Sequence, residues 1–198
     1  MITKREATAL IAAALLAGTT ACGAAADKVS EKAGEKIAEK AIEDQTGGNA
    51  DVDISDGGVK VSDGQGGSYE VDADGNVSGS SGDGSYEMGE GTKLPDGWPK
   101  DLEPPSGAKL VSAITTGDTM SVVANVDGPI RDVYEAVKGQ LTDAGYDLSN
   151  DSYTSADGGD FAALSGKGDD YEAVVTLTTD TSGGSGTVVT MSLTKVAG

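Results

Sequence analysis

Cys22 is the only cysteine in a chain of 198 residues, and histidine is absent. A lone thiol without an imidazole has no partner for thiolate catalysis, and neither a zinc site nor a disulfide can form within one such chain. Side-chain chemistry would then have to come from carboxylates. Asp157/Asp160 and Asp169/Asp170 are paired, but both pairs sit in Gly-rich turns, where water screens them and no burial raises a pKa. Turn formation accounts for that spacing of Asp and Gly. Ser185 in G-G-S-G-T reads as flexible hairpin, not as a nucleophile elbow, and no glycine motif has the strand-to-helix context that phosphate cradles need. Glu70-Val-Asp72-Ala-Asp74-Gly75-Asn76 opens like a calcium loop, but its first position is Glu and its twelfth, where a bidentate Glu belongs, is Ser81. The stretch from Asp51 to Gly57 has its Gly one residue late. No catalytic, cofactor-binding or metal-ligating residue is assigned, no cofactor is expected, and the chain reads as a protein that is not an enzyme.

The surroundings of Cys22 give the thiol a different task. Lys4 and Arg5 form a short basic region, residues 7–18 are an apolar run, and Thr19, Thr20 and Ala21 are small. That order of parts is an export signal, with an apolar run too short for the roughly 20 residues that span a bilayer. Lys4-Arg5 is not a twin arginine, which favours the general secretory route. Thr19-Thr20-Ala21-Cys22 resembles the lipobox of bacterial lipoproteins, with Thr19 where the family usually has Leu. The resemblance implies a diacylglyceryl group on Cys22, further acylation such as palmitate, cleavage just before Cys22, and attachment to the outer face of the cytoplasmic membrane. Two acyl chains make a stable anchor where one is marginal.

Three segments follow. Residues 27–44 repeat every four residues (V-S-E-K, A-G-E-K, I-A-E-K, A-I-E-D), with Glu31, Glu35, Glu39 and Glu43 in register. Ala, Glu, Lys and Ile favour a helix there, and Val29, Ala33, Ile37 and Ala41 form a narrow stripe. The stripe lacks the Trp, Phe or Leu of interfacial helices, so the segment reads as a solvated spacer. Residues 51–91 carry short period-two pieces at Val52–Ile54, Val59–Val61, Tyr69–Val71 and Tyr86–Met88, separated by Asp-Gly turns. This is a β-meander with few apolar residues on any one side, and 76–85 looks disordered within it. The Pro-rich stretch 94–109 places Trp98 and Leu102 against the next domain.

From there the pattern is regular. Residues 108–115 and 119–126 read as a hairpin, and Gly128-Pro129 opens a helix. Ile130, Val133, Val137, Leu141 and Ala144 form its apolar stripe, and Gly145 closes it. Strands follow at 146–154, 161–167, 171–178 and 187–195. The sum is ββαββββ, an α+β fold in which one helix covers one face of an antiparallel β-sheet. The expected organisation is a signal peptide at 1–21, lipid anchor and spacer helix at 22–50, an acidic Gly-rich meander or linker at 51–93, and an α+β domain at 94–198. L-P-x-x-W-P-x-D (94–101), S-G-A-K-L-V (106–111) and L-T-D-A-G-Y (141–146) resemble a family of small bacterial lipoproteins of unknown function. That resemblance also includes Tyr134 in the helix; it implies a fold and a location, and no active residues.

The net charge of −19 divides as +1 over residues 1–21, −2 over 22–46, −9 over 47–91 and −9 over 92–198. Such a chain repels phosphates and anionic lipid headgroups, and no basic stripe suggests nucleic acid. The function expected is a membrane-anchored envelope lipoprotein that binds an envelope protein or glycan without catalysis. The alternatives are a surface spacer that retains divalent cations, with weak calcium binding by its acidic segment, and a hydrolase using carboxylates alone, which would need a concave pocket with two buried acids.

Overall fold

The structure, a computed structural model, describes residues 35–37, 39–40, 50–55, 57–156, 159–180 and 186–197. Cys22, the signal peptide, most of the spacer, Asp157 and Ser185 lie outside them. The chain divides into two compact units, 1–82 and 83–198.

In the first unit, β1 (Asp51–Ser55), β2 (Gly58–Ser62), β3 (Ser68–Val71) and β4 (Val77–Ser81) form an antiparallel meander in sequence order. Its register places Val52, Ile54, Val59, Val61, Tyr69, Val71 and Val77 on one face, with Val52 and Val61 buried. The apolar residues therefore share one side, a degree of segregation the sequence pattern had not suggested. The β2–β3 and β3–β4 loops are the same device twice. Asp63 and Asp72 each donate a backbone N–H to the carbonyl four residues on, and each carboxylate accepts backbone N–H groups from residues two and four positions later, at 2.8–2.9 Å. Strand β4 corrects the expectation of disorder over 76–85. Its Ser and Gly residues carry no periodic signal, but β3 supplies a full ladder, Ser80 Oγ bonds Ser68 Oγ at 2.9 Å, and Gly79 lies buried opposite Tyr69.

The five described spacer residues, Glu35, Lys36, Ile37, Glu39 and Lys40, are helical. Glu35 Oε1 accepts the Ile54 N–H at 3.1 Å and Glu39 Oε1 accepts the Val52 N–H at 3.4 Å. One turn of helix thus matches two alternate N–H groups on edge strand β1, while Ile37 is 72% exposed.

The second unit is the expected ββαββββ with one more strand. It comprises β5 (Gly84–Met88), β6 (Lys109–Thr116), β7 (Thr119–Val126), α1 (Ile130–Asp143), β8 (Asp147–Ala156), β9 (Gly159–Lys167), β10 (Tyr171–Thr179) and β11 (Thr187–Lys195). All neighbours are antiparallel, in the order β5-β6-β7-β11-β10-β9-β8. Helix α1 carries the chain from β7 to the far edge at β8, and the meander β8–β11 returns to pair with β7. Tyr86–Met88, expected within the acidic segment, pairs with β6 and falls in this unit.

The inner face of the sheet is a closed core. Met120, Val122, Val126, Val175, Leu177, Leu164, Met191 and Leu193 meet Ile130, Val133, Val137 and Leu141 of α1, and Trp98 and Leu102 join the same cluster. Trp98 Nε1 donates to the Leu102 carbonyl at 2.8 Å, so the indole is buried with its polar edge satisfied. The helix ends in a Schellman motif: Gly145 (φ 82°) donates to Thr142 O and Tyr146 to Leu141 O.

Gly84 marks how tightly β5 joins the sheet, because a Cβ there would lie 1.9 Å from the Thr115 carbonyl oxygen. Gly84→Ala is expected to destabilise the second unit by about 1–3 kcal/mol in urea unfolding, as overpacking does. Gly82→Ala, whose Cβ meets nothing within 4 Å, should change stability by under about 0.5 kcal/mol. Equal effects at the two positions would contradict the placement of β5.

Candidate functional site

Two places in the second unit gather polar side chains: the flank where α1 crosses β8, and the outer face of the sheet. On the flank, Arg131, Tyr134 and Lys138 lie at helical spacing beside the buried stripe. Strand β8 presents Asp151 and Tyr153 on the same side of the sheet as Leu164 and Ala162, their partners on β9. Tyr134 Oη donates to Asp151 Oδ1, and Lys138 Nζ reaches Asp151 Oδ2 at 2.6 Å. The Arg131 guanidinium stands 4.2 Å over the Tyr153 ring, which tilts 5.7 Å from the Tyr134 ring. Tyr153 Oη and Ser155 Oγ each donate to Asp160 at 2.6 Å.

The electrostatics of this flank are those of a fastening. Hydrogen bonds from Lys138 and then Tyr134 hold the Asp151 carboxyl below its usual range, and those from Ser155 and Tyr153 do the same for Asp160. Bonding to Asp151 raises Tyr134 and Lys138, and bonding to Asp160 raises Tyr153. Every shift reinforces the charge state each group already has at neutral pH. General acid–base work requires the reverse, a group drawn toward neutrality.

The outer face has another character. Across β6, β7, β11, β10 and β9, one row reads Ser112, Val123, Thr190, Thr176, Ala163, and the next reads Ile114, Ser121, Ser192, Val174, Ser165. Met88 and Tyr86 extend the rows on β5, and Ser152 and Asn150 extend them on β8. None of these positions is charged, although a protein surface of this size would carry about four charges among them. Val174, Phe161 and Ile114 are 50%, 44% and 38% exposed. Several hydroxyls pair within the face: Ser192 with Ser121 at 3.0 Å, and Thr119 with Thr194 at 3.2 Å.

The other residues singled out by type do not converge. Asp160 is drawn into the flank network, whereas Asp169 and Asp170 stay exposed in the β9–β10 turn. In the calcium-like stretch, Asp72 accepts bonds from Asp74, Asn76 and the Asn76 side chain, so its carboxylate is taken up by the turn. An open hollow of about 650 Å³ beside α1 is bordered by Asp101, Glu135 and Asp143, all exposed. Among the described residues the one buried polar residue is Thr187, no group of three His, Cys, Asp or Glu is placed to hold a metal ion, and no helix is long and apolar enough to cross a membrane. Of the tyrosines, Tyr86 lies on the outer face, Tyr153 lies on the helix side, and Tyr69 belongs to the first unit. Comparison with protein-family profiles, curated proteins and solved structures found no match to this chain.

Two titrations check the flank. Asp151 and Asp160 have folded pKa values below their unfolded ones, so their contribution to stability is present above about pH 3.8 and is lost as pH falls through the folded values. Asp151→Asn should therefore flatten the acid limb of a stability–pH curve. In alkali, Tyr134, Tyr146 and Tyr153 should ionise late, Tyr146 because burial raises it. By absorbance titration, Asp151→Asn is expected to bring Tyr134 down and leave Tyr146 where it was; a Tyr134 unmoved by this change would mean the network does not form.

Proposed function

We propose that the chain is an envelope lipoprotein, exported by residues 1–21, anchored through lipid on Cys22 to the outer face of the cytoplasmic membrane, and spaced by its Glu-Lys helix. The α+β domain serves as a binding module for an envelope component and carries out no catalysis. The observation that supports this most is the uncharged centre of the outer face, two hydroxyl and aliphatic rows on a chain whose net charge is −19. Exposed apolar side chains grouped on one face mark interaction sites, and Val174, Ile114 and Phe161 stand exposed on this one. The flank network supports the non-catalytic part, because its carboxylates are held ionised and its tyrosines protonated.

Two measurements test the reading separately. Intact-mass analysis of the membrane fraction should give a chain that begins at Cys22 and carries diacylglyceryl and acyl groups, with Cys22→Ala lost from the membrane. A chain beginning at Cys22 without lipid would defeat the anchor. Pull-down from intact envelope with the anchored protein as bait should retain a component that Val174→Glu, on the outer face, releases. Equal retention by both forms would remove the face from the binding function.

A further inference from the structure

We infer that the outer face joins two copies of this chain, packed face to face across a two-fold axis. This rests on the binding reading above and names a second copy as its partner. Seven strands at about 4.8 Å and four side-chain rows at about 7 Å give a face of roughly 700 Å². That is close to the roughly 800 Å² which each partner contributes to a stable specific interface.

Charge selects the same occupant. A two-fold contact sets a surface against its own copy, so a patch rich in carboxylates and poor in cations would bring carboxylates together. On a chain of net charge −19, the two central rows escape this cost. Charge returns only toward the rim, at Lys109, at Asp147 and at the Lys167–Glu172 pair, 3.9 Å apart, where an interface stays hydrated. Hydroxyl pairing argues against a sugar. Ser192 donates to Ser121 and Thr119 pairs with Thr194, so each pair already spends one donor and one acceptor within the face, whereas glycan recognition needs donors and acceptors left free. Packing the faces would also bury Val174, Ile114 and Phe161, and the small Ser and Thr residues between them permit the ~10 Å approach of stacked sheets.

Sedimentation velocity on residues 22–198 carrying Cys22→Ala tests this without a lipid. The mass should rise toward twice that of the single chain with concentration, and the association should strengthen with salt, because screening relieves the repulsion between two acidic chains. Val174→Glu and, on a separate strand, Ile114→Lys should each weaken it by at least about tenfold while circular dichroism stays unchanged. Glu135→Gln, on the exposed side of α1, should leave it intact. A monomer at every concentration and salt would overturn the proposal, as would dimers indifferent to both face variants. A monomer that retains an envelope component, or that binds soluble dextran through this face, would overturn the dimer and leave the binding reading standing.

Discussion

One helix has to cover one face of a seven-stranded sheet, and the rest of the second unit follows from that constraint. Helix α1 has fourteen residues and is about 21 Å long and 10 Å wide, against a sheet about 30 Å across. It packs on β8, β9 and β10. The Pro-rich stretch brings Trp98 and Leu102 into the same core, and with them the inner layer is complete. No described element of this unit covers the outer face. Period-two alternation then sorts the central strands β7, β11 and β10: Leu, Met and Val point inward, while their outer rows take mostly Ser, Thr and Val, which favour strands and tolerate water. The uncovered outer surface is thus the direct consequence of having a single helix.

The same constraint explains the polar flank. At β8 the inner face runs out to solvent beside the helix, and an apolar side chain there would be half wet. Asp151 and Tyr153 take those positions, and Arg131, Tyr134 and Lys138 meet them from the helix. Each ion pair or hydrogen bond at such exposure is worth little alone. Their value lies in joining one helix flank to two strands through shared atoms, which fixes the crossing of α1 on the sheet. A carboxylate occupied in this way is held ionised, and Asp160 is tied by it into the fold.

Much of this second unit was legible in the sequence, for a physical reason. Ile130, Val133, Val137 and Leu141 repeat at helical spacing, and β7 and β11 alternate cleanly, so local periodicity alone locates them. The strand limits moved by one or two residues at β8 and β9. What stayed hidden depends on pairing. Ser78, Gly79 and Ser80 have no strand signature until β3 lies beside them, and Tyr86–Met88 reads alike whether it joins a meander or β6. Lys138 and Asp151 are brought together only by the crossing of α1. The uncharged rows are invisible along the chain, because each strand also contains inward residues that interrupt them. The Glu repeat was visible as a helix, but nothing local showed that Glu35 and Glu39 would reach the N–H groups of Ile54 and Val52.

The placement of charge and edge features narrows the ways in which this chain can associate. A sheet can add partners along its edges or across its faces. At β1 the outward N–H groups of Val52 and Ile54 are already bonded to carboxylates, which removes them from strand pairing and adds negative charge. At β8 a bulge between Leu148 and Asn150 interrupts the ladder, with Asp147 and Asp151 close by. Bulges and charges are both features that discourage edge pairing. Elsewhere the loops carry Asp in nearly every turn, so random encounters bring like charges together. The outer face of the second unit is the broad surface left without carboxylates in its centre. Within the described residues of the second unit, acidity therefore acts as exclusion: it disfavours approach at the β8 edge and the turns, and it spares the centre of the outer face, where contact brings no carboxylates together.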